Sequence, residues 1–187
     1  MEQLVQALAS SIAVLQRLIA KDIELVVPRD FVRVQSHIQD GIRRGKDVLI
    51  VGTDLHRTLD HNSEAISENA SKVKVILQDP NGKSFDHLAA RSSSSPAILK
   101  TRLEEGIGQW KSKIGDTNVK LLDYPLAFGG IFIDVEDRDH AEIYVWHYPF
   151  GSNSHGNRPK MALTPGAAVL FEAYAKQVKE LRRHVGF

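Results

Sequence analysis

Apolar residues recur at spacings of three and four along much of the chain, which is the pattern of a helix with one buried face. The first such stripe runs through Leu4, Leu8, Ile12, Leu15 and Ile19. The pattern predicts helices over residues 3–20, 31–44, 54–69, 97–114 and 165–184, the third being weakly amphipathic. The first of these helices precedes every predicted strand, and its stripe fits packing either on its own domain or on a partner copy.

Short continuous apolar runs between these helices predict strands. The run over 47–52, bounded by polar and glycine residues, is typical of a strand that is buried on both faces of a sheet. Pro28 favours extended backbone at the residues just before it. The predicted strands cover residues 47–52, 72–77, 119–122, 130–134 and 142–146.

The order of these elements predicts the fold class. Helix and strand alternate in the first half, which favours parallel pairing, whereas the last two strands follow each other closely and suggest a hairpin across 136–139. We therefore expect an α/β fold, with a mixed, largely parallel sheet flanked by helices on both faces. The expected division is an N-terminal helix over 1–25 and one α/β domain over 26–187.

Composition narrows the functional classes. The formal net charge is +1, so the chain as a whole is not a binder of polyanions, and the absence of cysteine excludes disulfides and thiolate nucleophiles. The first residues do not have the pattern of a signal peptide, and no apolar stretch approaches the ~20 residues that span a bilayer. We expect a cytoplasmic protein without membrane contact. The segment 51–54 lacks the glycine fingerprint of dinucleotide sites, and we expect no cofactor.

Three runs of the sequence together resemble one half of a phospholipase D-like protein. They are 46–54, 73–80 and the closing run from 118 to the last helix, and the likeness spans about residues 30–184. The family places the motif His-x-Lys-x-x-x-x-Asp where this chain has the segment from Ala127 to Asp134. Asp134 matches the motif, but Ala127 stands in place of the histidine and Gly129 in place of the lysine.

The resemblance carries an expectation about function. Active members use the histidine as the nucleophile and the lysine to hold phosphate oxygens, so a chain with Ala127 and Gly129 is expected to be a degenerate, non-catalytic member. Such domains occur in bacterial regulatory proteins, which implies a ligand-sensing or protein-interaction module. The module is expected to bind either a small phosphorylated ligand or a protein partner. One motif per chain implies a homodimer.

Asp54 and His56 follow the first buried strand, at the edge of the sheet where parallel strands end and ligands bind. In active family members the segment after the last strand contributes polar side chains beside the site. The resemblance therefore implies that the same ligand cleft is lined by Asp134, His147, Asn153, His155 and Arg158. Two alternatives stay open: Asp54 as the N-cap of the next helix, which we favour, and His147 as a strand end before a solvated loop. The eight-residue spacing of the two later histidines matches no compact zinc signature, and we expect no metal site.

Two further functions are compatible with the sequence. One is a phosphodiesterase or nuclease that uses His147 or His155 in place of the missing histidine. The other is nucleic-acid binding through basic residues, although a solvated helix face explains them as well. The two basic patches are Arg43, Arg44 and Lys46, and Lys176, Lys179, Arg182 and Arg183. Arg91 and the serines at 92–95 are a further candidate phosphate site, for which a plain loop is the simpler interpretation.

Overall fold

The computed structural model describes residues 23–26, 31–92, 94–148 and 160–187, with only the backbone described at 23–26 and 31–34. The strands are β1 (Ile23–Val26), β2 (Val48–Gly52), β3 (Val73–Gln78), β4 (Val119–Leu122), β5 (Phe128–Ile133), β6 (Glu142–His147) and β7 (Lys160–Leu163). The helices are α1 (Phe31–Arg44), α2 (His56–Glu68), α3 (Phe85–Arg91), α4 (Pro96–Ile114) and α5 (Ala168–Val185), with a short 3-10 turn at Asp116–Asn118.

All seven described strands form one mixed sheet in the order β1-β7-β6-β5-β2-β3-β4. The pairs β2–β3 and β3–β4 are parallel. The pairs β1–β7, β7–β6, β6–β5 and β5–β2 are antiparallel. The predicted α/β class and mixed sheet are confirmed. Parallel pairing is less extensive than expected. Parallel neighbours need a crossover connection, and the described residues 134–141 that join β5 to β6 contain no helix, so these two strands pair antiparallel.

Helices cover both faces of the sheet, as predicted. On the first face, helices α1, α2 and α4 bury a core that includes Ile50, Val75 and Trp110, each without solvent exposure. On the second face, helix α5 packs through Phe171 and Val178 onto a separate core. Each central strand therefore contributes alternate residues to two apolar layers, which is why β2 is buried along its whole length.

Local signals in the sequence set several helix ends. Ser95 caps α4, where its Oγ accepts a hydrogen bond from the backbone N–H of Ile98 at 3.4 Å, and Pro96 follows at the first helical position. Gly45 directly follows α1 and donates its N–H to the carbonyl oxygen of Gly41 at 2.8 Å. Gly186 ends α5 with a φ of 76°, a conformation that glycine adopts without strain.

The N-terminal predictions fall largely outside the described residues. The helix over 3–20 lies there, and the division at 25 and 26 stays a prediction, although the described strand β1 spans it. This strand pairs with β7, with Ile23 opposite Leu163 and Val26 opposite Lys160. Within the described ranges, no helix is both long enough and apolar enough to cross a membrane.

Candidate functional site

The edge of the sheet at which β2, β3 and β4 end is called the carboxyl edge below. Because β5 runs antiparallel to β2, with Val51 opposite Gly130, the beginning of β5 lies at this edge. The end of β6 lies there too, because His147 is opposite Phe128. Ligands of open α/β sheets bind at such an edge, so the side chains that meet here are the candidate site.

Two glycines face each other at the carboxyl edge and form what we call the glycine notch. Gly52 ends β2, and Gly129 lies opposite it on β5 one step beyond the pair of Val51 and Gly130. An ideal Cβ on Gly129 would meet the indole of Trp146 and lie 2.5 Å from Oη of Tyr148. One on Gly52 would meet the side chain of Leu55 and lie 3.0 Å from the same oxygen. The notch is therefore filled by Trp146 and Tyr148 on the side of Gly129, and by Leu55 and Tyr148 on the side of Gly52.

Tyr148 is fixed in the glycine notch at both its side chain and its backbone. Its hydroxyl oxygen accepts hydrogen bonds from the backbone N–H of Thr53 at 3.3 Å and from Nε1 of Trp146 at 3.2 Å. Its N–H donates to the carbonyl oxygen of Ala127 at 3.0 Å, and its carbonyl oxygen accepts from Nη2 of Arg91 at 2.6 Å. One tyrosine thus joins β2, the beginning of β5 and the end of α3.

The second polar group at the carboxyl edge is built on Asp54 and His56, both candidates from the sequence. Nη2 of Arg102 donates to Oδ2 of Asp54 at 2.7 Å. In His56, Nε2 lies 3.0 Å from the carbonyl oxygen of Arg102, and Nδ1 lies 3.0 Å from Oε1 of Gln109. Asp54 and His56 are therefore placed at this edge by bonds to helix α4.

The favoured interpretation of Asp54 as a helix cap is wrong. The N-cap position of α2 is Leu55, which has a left-handed φ of 55° and makes no side-chain cap hydrogen bond. Asp54 lies one residue too early to reach the free N–H groups of the first turn and pairs with Arg102 instead. The close approach of α4 that allows this pairing depends on Gly106, where an ideal Cβ would lie 2.9 Å from the carbonyl oxygen of Asp54.

Asp134 is not part of the carboxyl edge, which corrects the expected cleft. It follows the last residue of β5, six residues after Phe128 and therefore about 20 Å from the end at which His147 lies. Oδ1 of Asp134 accepts hydrogen bonds from the backbone N–H groups of Lys46 at 2.9 Å and Asp47 at 2.8 Å. The side chain is buried and fixes the turn that leads into β2, so its role in the described structure is structural.

His147 lies at the carboxyl edge but is directed towards helix α5. Its Nε2 lies 2.9 Å from the hydroxyl oxygen of Tyr174, and the two rings are 6.2 Å apart at their centroids. Burial raises the pKa of Tyr174, so this phenol stays protonated and can donate to the imidazole. His147 is thus on the opposite face of the sheet from His56, and the structure does not join the two histidines into one site.

The remaining cleft candidates, Asn153, His155 and Arg158, lie outside the described residues, and their participation stays a prediction. Among the residues that the structure does describe, no group of three or more histidine and carboxylate side chains could hold a metal ion.

Six of the seven basic residues proposed for nucleic-acid binding form ion pairs within the described part of the chain. Arg43 bonds Glu68 at 2.9 Å, which raises the pKa of the arginine. The other pairs are Arg43–Glu64, Arg44–Glu142, Lys46–Asp137, Arg182–Asp47, Lys179–Glu136 and Arg183–Glu180. Neighbouring carboxylates thus reduce the field of both patches, in agreement with the interpretation as solvated helix faces.

The serine run after Arg91 has structural bonds as well. Oγ of Ser92 accepts from the N–H of Ser94 at 3.1 Å, Ser95 caps α4, and Arg91 holds the backbone of Tyr148. The described contacts of this segment fit the simpler interpretation of a loop that begins a helix.

Sequence reasoning missed Trp146, Tyr148 and Arg102. The signal for the first two was a pair of aromatic residues at the end of a strand, with Gly129 on the neighbouring strand and Gly52 on the strand beyond it. Only the strand register reveals that these features meet.

No protein-family model matches the chain, and no curated protein matches it. One solved structure with a similar chain trace is that of TrmBL2, described as an archaeal chromatin protein with a novel mode of DNA binding. The two chains are 12% identical, the TM-score is 0.43, and the match covers 96% of this chain but 63% of the other. A likeness at this level assigns neither a family nor a function to the chain.

Proposed function

We propose that the chain is a phospholipase D-like domain that has lost phosphodiesterase chemistry and acts as a ligand-sensing regulatory module. The observation that carries the proposal is the filled glycine notch. The resemblance places the phosphate-binding lysine at position 129, and there even a Cβ would collide with Trp146 and Tyr148. The difference from the family motif therefore goes beyond the missing lysine, because other side chains occupy the volume that a lysine at position 129 would need.

Phosphodiester cleavage by the family route needs a nucleophile and a fixed cation beside the developing anion. Position 127 carries only an exposed methyl group, and position 129 has no side chain. His147, the alternative nucleophile within the described residues, has its Nε2 bonded to Tyr174 on the other side of the sheet from the Asp54 group. These contacts favour a binding role over a catalytic one.

The carboxyl edge offers donors suited to an anionic ligand. Arg91 and Arg102 approach it from α3 and α4, and both are partly exposed. Guanidinium groups hold phosphate oxygens through paired N–H donors. Arg102 is bonded to Asp54 at present, so we propose that a small phosphorylated ligand competes with this carboxylate for the guanidinium group. A homodimer, expected from the resemblance, remains part of the proposal.

The catalytic half of the proposal is tested by hydrolysis of bis-p-nitrophenyl phosphate. We expect the wild-type protein to release no more nitrophenol than buffer does. The variants His147→Ala and His155→Ala are compared with His140→Ala, a matched control in the exposed turn between β5 and β6. Turnover that disappears with His147→Ala or His155→Ala, but not with His140→Ala, would establish the enzyme instead.

The sensing half is tested by a thermal-shift screen of nucleotides and phosphorylated metabolites. A ligand present at 100 times its Kd stabilises the folded state by about 2.7 kcal/mol. We expect Arg102→Gln to abolish the shift and Arg57→Gln, an exposed arginine on α2, to preserve it. A shift that is equal in both variants, or no shift with any phosphorylated compound, would reject ligand sensing at this edge. Light scattering of the same samples measures the oligomeric state.

A further inference from the structure

We propose that helix α3 is a lid over the glycine notch, hinged at Ser84 and held closed by the bond from Arg91 to Tyr148. This bond is called the latch below. Opening of the lid gives solvent and solutes access to the carboxyl edge. The inference goes beyond the proposed function, because it concerns the protein without a ligand and is tested without one.

Helix α3 is held by much less apolar packing than the helix that follows it. None of its residues is buried, and none belongs to either core or to the side chains packed against one. Its largest apolar side chains, Phe85 and Leu88, are half-buried. Helix α4 buries five residues, including Leu103 and Trp110. Because most of the stability of a helix comes from tertiary packing, we expect α3 to open at a much lower free energy than α4.

The two ends of α3 are bonded to different parts of the carboxyl edge. At the first end, Oγ of Ser84 accepts from Nε2 of Gln78 at 2.8 Å, and its N–H donates to Oδ1 of Asp123 at 3.0 Å. Gln78 ends β3, and Asp123 follows β4. At the other end, Nη2 of Arg91 donates to the carbonyl oxygen of Tyr148, directly after β6, at 2.6 Å.

These bonds place α3 across the end of β2 and the beginning of β5. Both strands lie between β6 on one side and β3 with β4 on the other. The separation of β6 from β3 is three strand spacings, or about 14 Å. Helix α3 is about 10 Å long, and the side chain of Arg91 spans the remainder. Since Gly52 and Gly129 lie at the strand ends in between, α3 lies over the glycine notch.

The two ends of α3 differ in how firmly they are held. Ser84 is 5% exposed and makes two bonds, one of them to the fully buried Gln78, so this end is the hinge. Arg91 is partly exposed, and within the described residues its guanidinium group bonds one backbone carbonyl oxygen and no carboxylate. A neutral acceptor binds a guanidinium group less strongly than a carboxylate does. The end at Arg91 is therefore the one that releases.

Hydrogen exchange followed by mass spectrometry tests the lid. In the wild type we expect the amides of 88–91 to exchange at least about a hundredfold faster than those of 103–110. Arg91→Gln removes the latch and should accelerate exchange in α3 by about tenfold, with α4 unchanged. His87→Gln, at an exposed position of the same helix, is the matched control and should change neither helix.

Three results would overturn the proposal. The first is equal protection of α3 and α4 in the wild type, which needs no variant. The second is equal exchange of α3 in Arg91→Gln and His87→Gln. The third is loss of folding in Arg91→Gln, or faster exchange in both of its helices, because the bond would then support the whole fold.

Thiol reactivity tests whether α3 covers the notch, because the chain has no cysteine of its own. Thr53→Cys places a thiol directly after β2, and Ser112→Cys places one at an exposed position of α4 as the reference. In the reaction with dithiobis(nitrobenzoate), we expect the added change Arg91→Gln to accelerate labelling of Thr53→Cys several-fold and to leave Ser112→Cys unchanged. Equal labelling of Thr53→Cys with and without the latch would overturn the proposal.

Discussion

Two glycines of helix α4 make a direct test of how the Asp54 group is assembled. At Gly106 an ideal Cβ would lie 2.9 Å from the carbonyl oxygen of Asp54 and 3.4 Å from Nε2 of His56. At Gly108, one half-turn further along the same helix, no atom lies within 4 Å of such a Cβ. Alanine at these two positions therefore differs in packing while the helical backbone is the same.

The expected magnitudes follow from two opposing effects. Alanine in place of glycine stabilises a helix interior by about 0.5–1 kcal/mol, and this gain is common to both variants. Overpacking against a backbone oxygen that cannot move aside costs typically about 1–3 kcal/mol, and it acts only at Gly106. We expect Gly108→Ala to be more stable than the wild type, and Gly106→Ala to be about 1–3 kcal/mol less stable than Gly108→Ala.

Urea denaturation followed by far-UV circular dichroism measures the difference. Thermal melting gives the same comparison, since 1 kcal/mol corresponds to about 2–4 °C for a chain of this size. Equal stability of the two alanine variants would refute the close approach of α4 to the Asp54 carbonyl group. It would also remove the reason for placing Arg102 beside Asp54.

Three further predictions concern single side chains. Asp134→Ala should lower the free energy of unfolding by about 1–3 kcal/mol, because two backbone N–H groups lose their acceptor. Asp134→Asn should retain most of the stability, since asparagine accepts the same hydrogen bonds and tolerates the φ of 47°. Trp110 is fully buried, and its Nε1 has no hydrogen-bond partner among the described residues. The stability of Trp110→Phe should therefore stay within about 1 kcal/mol of the wild type, whereas Trp110→Ala should be about 3–5 kcal/mol less stable. A larger loss for the phenylalanine variant would show that the indole N–H is bonded. Burial raises the pKa of Tyr174 above its ordinary value of 10.0, so its contribution to stability is complete below pH 10 and falls as the pH rises from there towards the folded-state pKa. Unfolding titrations at alkaline pH should show a steeper loss for the wild type than for Tyr174→Phe, and identical slopes would count against the buried phenol.

Periodicity was enough to predict most of the elements. The helix expected over 31–44 is α1, and the apolar runs expected as strands became β2 to β6 with small shifts at their ends. Strand β7 and helix α3 were missed. Lys160–Leu163 is only four residues long and is defined by its pairing with β6 and β1, and Phe85–Arg91 has no buried residue to produce an apolar stripe.

The sequence could place a candidate site residue only where its position depends on a single strand. Asp54 and His56 were expected at the carboxyl edge because they follow β2, and they lie there. Asp134 was expected in the cleft because it matches the aspartate of the family motif, but β5 runs antiparallel to β2. In an antiparallel strand the carboxyl end lies at the opposite edge, so the same sequence position moves to the other side of the sheet. The bond from Arg102 to Asp54 joins residues 48 apart, a relation that no local pattern contains.

The pairing of β1 with β7 has a consequence for biosynthesis. Ile23 pairs with Leu163, and Val26 with Lys160, so this ladder can close only after the residues up to Leu163 have left the ribosome. At about 5–20 residues per second, the first strand waits roughly 7–28 s for the last one. During that interval its backbone N–H and C=O groups are open to pairing with other chains, which makes the unpaired strand a natural substrate for chaperones.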